Sequence, residues 1–264
     1  MQVSESYIKQ SYSLAWRFFA KNKMASFIIM GVIFVLALFS MIPLVGFLVT
    51  IGMGMLMFSV QVYVAKSITH SDNEEEYEQI IQNTKPSELI TQYFSVGAGA
   101  YLGFFLIEML VFFFIFVSLF MLVGIDTLNA ISAGTMPIEE QIQIYKSLGT
   151  FGLLFAIAMM FFAYIYPLVM GRVYRSEGFA EAFKCIFLLF SPPLWKASFN
   201  VRYFLLITML HLTLIGMMIL MLVSVMTFIL IPVAVFIVYI FTLYFATISV
   251  LGDKVSFEDQ IGGE

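Results

Sequence analysis

The chain has 264 residues, 61% of them hydrophobic and only 11% charged, with a net charge of −4. A soluble domain carries about 25% charged residues, so a water-facing globule is excluded and the apolar excess points to lipid. The single cysteine, Cys185, excludes an intrachain disulfide and any multi-cysteine metal site.

Ile8, Tyr12, Ala15, Trp16 and Phe19 recur at helical spacing beside Lys9 and Arg17. Residues 4–20 therefore read as an amphipathic helix lying in the membrane interface, with a cytosolic helix capping a bundle as the alternative. Met24–Ala65 then contains no charged residue, and neither does Tyr203–Gly252. A spanning helix needs about 20 apolar residues, so each run is roughly twice too long for one span and fits a hairpin. The first run gives spans 24–42 and 47–65, turned at Pro43–Gly46. It extends far beyond the h-region of a signal peptide and is expected to be a retained span.

Asp72, Glu74, Glu75, Glu76 and Glu78 form an acidic cluster suited to the positive end of a helix dipole. It reads as a solvated helix start, with a cation or basic-partner site as the other reading. Pro86-Ser87-Glu88 restarts the chain toward a third span at 97–123. Pro137-Ile138-Glu139-Glu140 suggests one short helix in the outer loop, and the fourth span occupies 148–170. Phe179, Ala182, Phe183, Ile186 and Phe190 make 178–191 a second interfacial helix, stopped at Ser191-Pro192-Pro193. The last run supplies spans 203–222 and 231–251, with Pro232 in the first turn of the latter.

The expected fold is an all-α integral membrane protein. Six transmembrane helices form three hairpins within a single polytopic domain, 1–264, with amphipathic helices on the cytoplasmic side. In this arrangement all but Lys146 of the 13 Lys and Arg residues fall on one face. The positive-inside rule then puts both termini in the cytoplasm. A five-span chain would scatter the same residues over both faces. Lys23-Met24-Ala25-Ser26-Phe27 and Lys196-Ala197-Ser198-Phe199 open the first and third hairpins alike, hinting at a parallel repeat.

Glu108 is the one carboxylate inside a span. Such a group costs about 2.5–3.5 kcal/mol to insert, so it is either a protonated hydrogen-bonding residue or a functional one. His211 falls at comparable depth in the fifth span, and a Glu–His pair would suit a proton relay; a packed, hydrogen-bonded histidine is the alternative. Gly99 and Gly103 form a small-xxx-small match for close helix approach, and Gln61 is placed to bond between helices. Asp126 reads as interfacial. There is no H-E-x-x-H, G-x-S-x-G or P-loop, so no enzyme and no cofactor are expected. The expected partners are membrane lipids, with a membrane-protein partner or a second copy possible, and no nucleic acid.

Tyr166-Pro167-Leu168, Glu177-Gly178-Phe179-Ala180-Glu181-Ala182-Phe183-Lys184 and Ala15–Phe19 resemble a known pattern. It is that of the uncharacterised bacterial six-span proteins related to the membrane domain of glycerophosphodiester phosphodiesterases. The resemblance implies an all-helical inner-membrane protein tied to envelope or lipid homeostasis. The phosphodiesterase catalytic domain has no counterpart here, so that activity is not implied. Two readings follow: a non-enzymatic protein of envelope or lipid organisation or of a membrane complex, and a small transporter or channel using Glu108.

Overall fold

A computed structural model describes residues 7–43, 45–88, 92–124, 127, 130, 133, 136–225 and 230–261. Most of them are helical, with no strand among them. In chain order the helices are α1 (Tyr7–Lys21), α2 (Lys23–Phe39), α3 (Val45–Thr69), α4 (Glu74–Gln82), α5 (Pro86–Glu88), α6 (Phe94–Val123) and α7 (Ile138–Val173). They continue as α8 (Phe179–Cys185), a 3-10 turn (Ile186–Phe190), α9 (Pro192–Ser198), α10 (Val201–Val225) and α11 (Leu230–Ile261). Segments of α3, α6, α7, α10 and α11 are each long and apolar enough to cross a bilayer, giving five spans. A sixth is counted if α1 and α2, bent by 90° at their junction, form one broken span. The protein is thus an all-α, multi-pass membrane protein.

The chain divides into two compact units, residues 1–103 with 165–264, and residues 104–164. In the first unit α11 is the central helix and packs on α10, α3, α1 and α2. Tyr239, Leu243, Tyr244, Ala246 and Ile248 are buried along it. Tyr239 and Ser26 of α2 are joined by a hydroxyl–hydroxyl hydrogen bond of 3.0 Å. Such a bond satisfies two polar groups that lipid cannot.

α1 buries Gln10, Ser11, Leu14, Ala15 and Phe18, a stripe at the three-to-four spacing of one helix face. Its neighbours are α11 and α4. Tyr12 stacks on Tyr244 with centroids 4.5 Å apart and hydrogen-bonds Thr213 of α10. Burying Leu14 and Phe18 contributes about 1.5–3 kcal/mol each relative to leaving them in water. Trp16, by contrast, stays exposed.

Asn22 makes the corner between α1 and α2. Its Oδ1 accepts from Ala25 N at 3.1 Å, which caps α2, while Nδ2 donates to the carbonyls of Ile81 and Thr84. One side chain thus starts a helix and ties down the end of α4. Asn22→Ala is expected to lower stability by about 2 kcal/mol, the upper end for a lost cap, read as a drop in the unfolding midpoint in detergent. Asn22→Asp keeps the cap acceptor but loses the Nδ2 donors, and should fall between.

Three local expectations are modified. Residues 138–141 are not a separate helix; they open α7, which runs unbroken to Val173 with Pro167 inside it. Nothing between Ile138 and Tyr166 breaks a helix, and Glu139 and Glu140 favour its N-terminal dipole. α11 continues beyond Gly252 to Ile261. The Lys-Ala-Ser-Phe match also loses its structural meaning: Lys23–Phe27 starts α2, whereas Lys196–Phe199 ends α9. Asp126 lies outside the described residues.

In the second unit α6 exposes Phe112, Phe113, Phe114, Phe116 and Phe120. That is the surface lipid contact requires, because a bilayer does not penalise apolar exposure. At the start of α7, Gln141 Nε2 donates to Met136 O at 2.9 Å.

Candidate functional site

One group of charged residues lies where residues of α1, the end of α3, the end of α7 and the end of α11 line a common space. Asp253 of α11 is only 1% exposed. A carboxylate that far from water needs cations, and the end of α7 and the turn that follows it bring two. Arg172 Nε lies 2.6 Å from Asp253 Oδ1, close enough for an ion pair though not aligned as a hydrogen bond. Arg175 Nη2 hydrogen-bonds Asp253 Oδ2. The Arg172 guanidinium also sits 3.9 Å from the centre of the Phe257 ring, a cation–π contact that holds it flat against α11.

Gly171 permits this approach. A Cβ there would stand 2.5 Å from Ser249 O and 2.7 Å from Asp253 Cβ. Beside it, Tyr174 OH donates to Gln61 Oε1 at 3.0 Å. Burial pushes the Tyr174 phenol well above its usual range, so it stays a donor. Gln61 therefore joins α3 to the segment following α7.

A cavity of about 300 Å3 opens among these elements, lined in part by Gln10, Ser71, Asp72, Tyr174, Arg175 and Lys254. Gln10 is 8% exposed, and its carboxamide oxygen has no hydrogen-bond partner among the described residues. The Asp72 carboxylate is exposed and likewise accepts no hydrogen bond among them; only its backbone N–H is engaged, by Glu76 Oε2 at 2.7 Å.

A second charged layer binds α4 to α1. Arg17 pairs with Glu74 at 2.5 Å and with Glu78 at 2.8 Å, and Lys21 pairs with Glu78 at 2.7 Å. The acidic cluster is thus partly consumed by cations of the same chain, while Asn73 caps α4 by accepting from Glu76 N at 2.8 Å. The hydrogen bond from Lys21, supported by Arg17, holds the Glu78 carboxyl below its usual range against the opposing effect of desolvation. A depressed folded-state value means stability that is present at neutral pH and lost as pH falls through that value. Acidification below about pH 4.5, the ordinary carboxylate value, should therefore loosen α4 from α1. Hydrogen exchange should report it as faster exchange of α4 amides than of α11 amides over the same range.

Gly99 and Gly103 are contacted by α8 and the turn after it. A Cβ at Gly99 would meet Phe179 O at 2.3 Å, and one at Gly103 would meet Phe183 O at 2.9 Å and Ile186 Cγ1 at 3.0 Å. The small-residue pattern therefore seats the amphipathic segment, in which Ala182, Ile186 and Leu189 are buried and Phe179, Phe187 and Phe190 exposed.

Glu108 lies in the second unit and His211 in the first. Glu108 is half-buried and has no hydrogen-bond or ion partner among the described residues. His211 Nδ1 donates to Ile207 O one turn back, at 2.8 Å. That bond assigns the Nδ1 proton and leaves Nε2 as the other ring position.

No protein-family model, curated protein or solved structure matches the chain.

The site centred on Asp253 escapes the sequence reading. Asp253 follows the charge-free run directly and passes for the start of a tail, and Arg172 and Arg175 pass for flanking cations. Two signals mark it nonetheless. Asp253 sits among Leu251, Gly252 and Val255, which continue the apolar pattern of the helix. Arg172 and Arg175 stand three apart, on one helical face.

Proposed function

We propose that the protein is a non-enzymatic integral membrane protein that organises or handles lipid in the cell envelope. The observation that carries this reading is the cavity of about 300 Å3 at the helix ends, which brings charged, hydroxyl and aliphatic side chains together as an amphiphilic headgroup requires. The polar side chains in the spans favour it as well. Ser59, Thr242, Thr247 and Ser249 each donate to a carbonyl four residues back on their own helix, at 2.7–2.9 Å. Hydroxyls satisfied in this way need neither water nor a solute as hydrogen-bond acceptor, as suits helices packed in lipid. The Lys and Arg distribution favours cytoplasmic termini, and with them a cavity facing the cytoplasm; the bacterial inner membrane is the location implied by the family resemblance. The likeness to six-span proteins related to the phosphodiesterase membrane domain points the same way.

A second reading is a small transporter or channel, favoured by the half-buried Glu108, which has no partner among the described residues. Proteoliposomes separate the two. Lipid handling predicts a defined lipid class retained through purification and no solute- or proton-driven flux. Flux that is abolished by Glu108→Gln would establish the transporter instead.

A further inference from the structure

The charged groups lining the cavity balance. Arg175 and Lys254 supply two cations, Asp72 and Asp253 two carboxylates, and they come from different elements. Asp253 is committed to Arg172 and Arg175. The Asp72 carboxylate and the Gln10 carboxamide oxygen remain as acceptors without a donor among the described residues. A purely anionic ligand would meet the unpaired Asp72; a purely cationic one would meet Arg175. A ligand carrying both signs answers both, and two unfilled acceptors ask for N–H donors on its cationic end. A quaternary ammonium has no N–H and is held by aromatic faces. Tyr174 is the only aromatic among the described lining residues, and its hydroxyl is engaged with Gln61.

We infer that this cavity binds a phosphoethanolamine group, its ammonium held by Asp72 and Gln10 and its phosphate by Arg175 and Lys254. Guanidinium and ammonium side chains are the usual phosphate partners, and pockets of this size suit small ligands. The inference rests on the lipid reading only for the source of the group. The same chemistry is presented by phosphatidylethanolamine and by soluble glycerophosphoethanolamine.

The full chain, purified in detergent, would be incubated with equimolar phosphatidylethanolamine, phosphatidylcholine and phosphatidylglycerol, and the retained lipid quantified by mass spectrometry. Titration calorimetry with glycerophosphoethanolamine forms the second arm. Retention of the ethanolamine lipid about tenfold over the choline lipid is expected, because a charge-assisted hydrogen bond is at stake. Asp72→Asn should bring that ratio close to one. Asp72 is exposed and its side chain bonds nothing else described, so an unfolding midpoint equal to that of the parent protein is expected as the folding control. Gln10→Met removes the second acceptor and should reduce the same ratio.

If the soluble diester binds with the same sensitivity to Asp72→Asn while no lipid is enriched, the inference stands and the lipid reading falls. If the lipid is enriched and the soluble diester does not bind, both stand, with the acyl chains contributing affinity. Equal retention of ethanolamine and choline lipids together with no binding of the diester overturns the inference. So does a preference for the glycerol lipid, or an ethanolamine preference that survives Asp72→Asn.

Discussion

Replacing both Arg172 and Arg175 with methionine is expected to cost about 3–5 kcal/mol, the range for stranding a buried charge. Removing the charge on the other side, with Asp253→Asn, should cost only about 1–2 kcal/mol. The asymmetry follows from exposure. The carboxylate is 1% exposed, whereas the arginine side chains are 29% and 56% exposed and can turn to water when their partner is lost. A cation that can reach solvent gains little from its pair; a carboxylate sealed among helix ends has no such recourse. Adding Asp253→Leu to the double arginine variant should recover most of the loss, since an apolar replacement of a whole buried pair is often neutral or better. Urea or thermal unfolding of all variants in one detergent measures the series. Equal losses from the two sides would mean that Asp253 is better solvated than its burial implies.

Glycine-to-alanine changes should sort the glycines into two classes of opposite sign. At Gly99 and Gly171 an added methyl group meets main-chain oxygen, of Phe179 at 2.3 Å and of Ser249 at 2.5 Å. Backbone cannot rotate aside as a side chain can, so α8 or α11 must move. Overpacking of this kind costs about 1–3 kcal/mol. At Gly31 and Gly216 nothing lies within 4 Å of the new carbon. Alanine there should instead stabilise by about 0.5–1 kcal/mol, the difference between the two residues within a helix. Thermal unfolding of the four single variants decides the matter. Gly99→Ala should also loosen Phe179–Phe190, visible as faster hydrogen exchange, because that segment is what the missing side chain admits.

The helices were readable because lipid imposes a length and forbids charge, and Val45–Thr69 and Phe94–Val123 follow from that constraint alone. The corner at Asn22 was not readable. Its Nδ2 partners, the carbonyls of Ile81 and Thr84, lie 59 and 62 residues away in sequence, and the flanking lysines give no sign of a 90° bend. The glycines at 99 and 103 announced a close approach, but not that a short amphipathic helix would make it. Hydropathy places residues along the membrane normal and says nothing of which helices are neighbours. For the same reason a count of Lys and Arg by membrane face includes Arg172 and Arg175 but gives no sign that they meet Asp253. Only their lateral meeting turns them into one buried cluster with a cavity beside it.

The contacts of α1 carry a consequence for the order of assembly. Its chief neighbour is α11, and Tyr12 reaches Thr213 and Tyr244, more than two hundred residues further along. During synthesis those partners do not yet exist when α1 leaves the ribosome. Until α10 and α11 have been inserted, Tyr7, Ile8 and Tyr12 lack the surface they pack on, and the sequence separation makes this closure slow. α1 is therefore made well before it can be fully seated, and a nascent chain stalled before α10 leaves part of its amphipathic face without its partner helices.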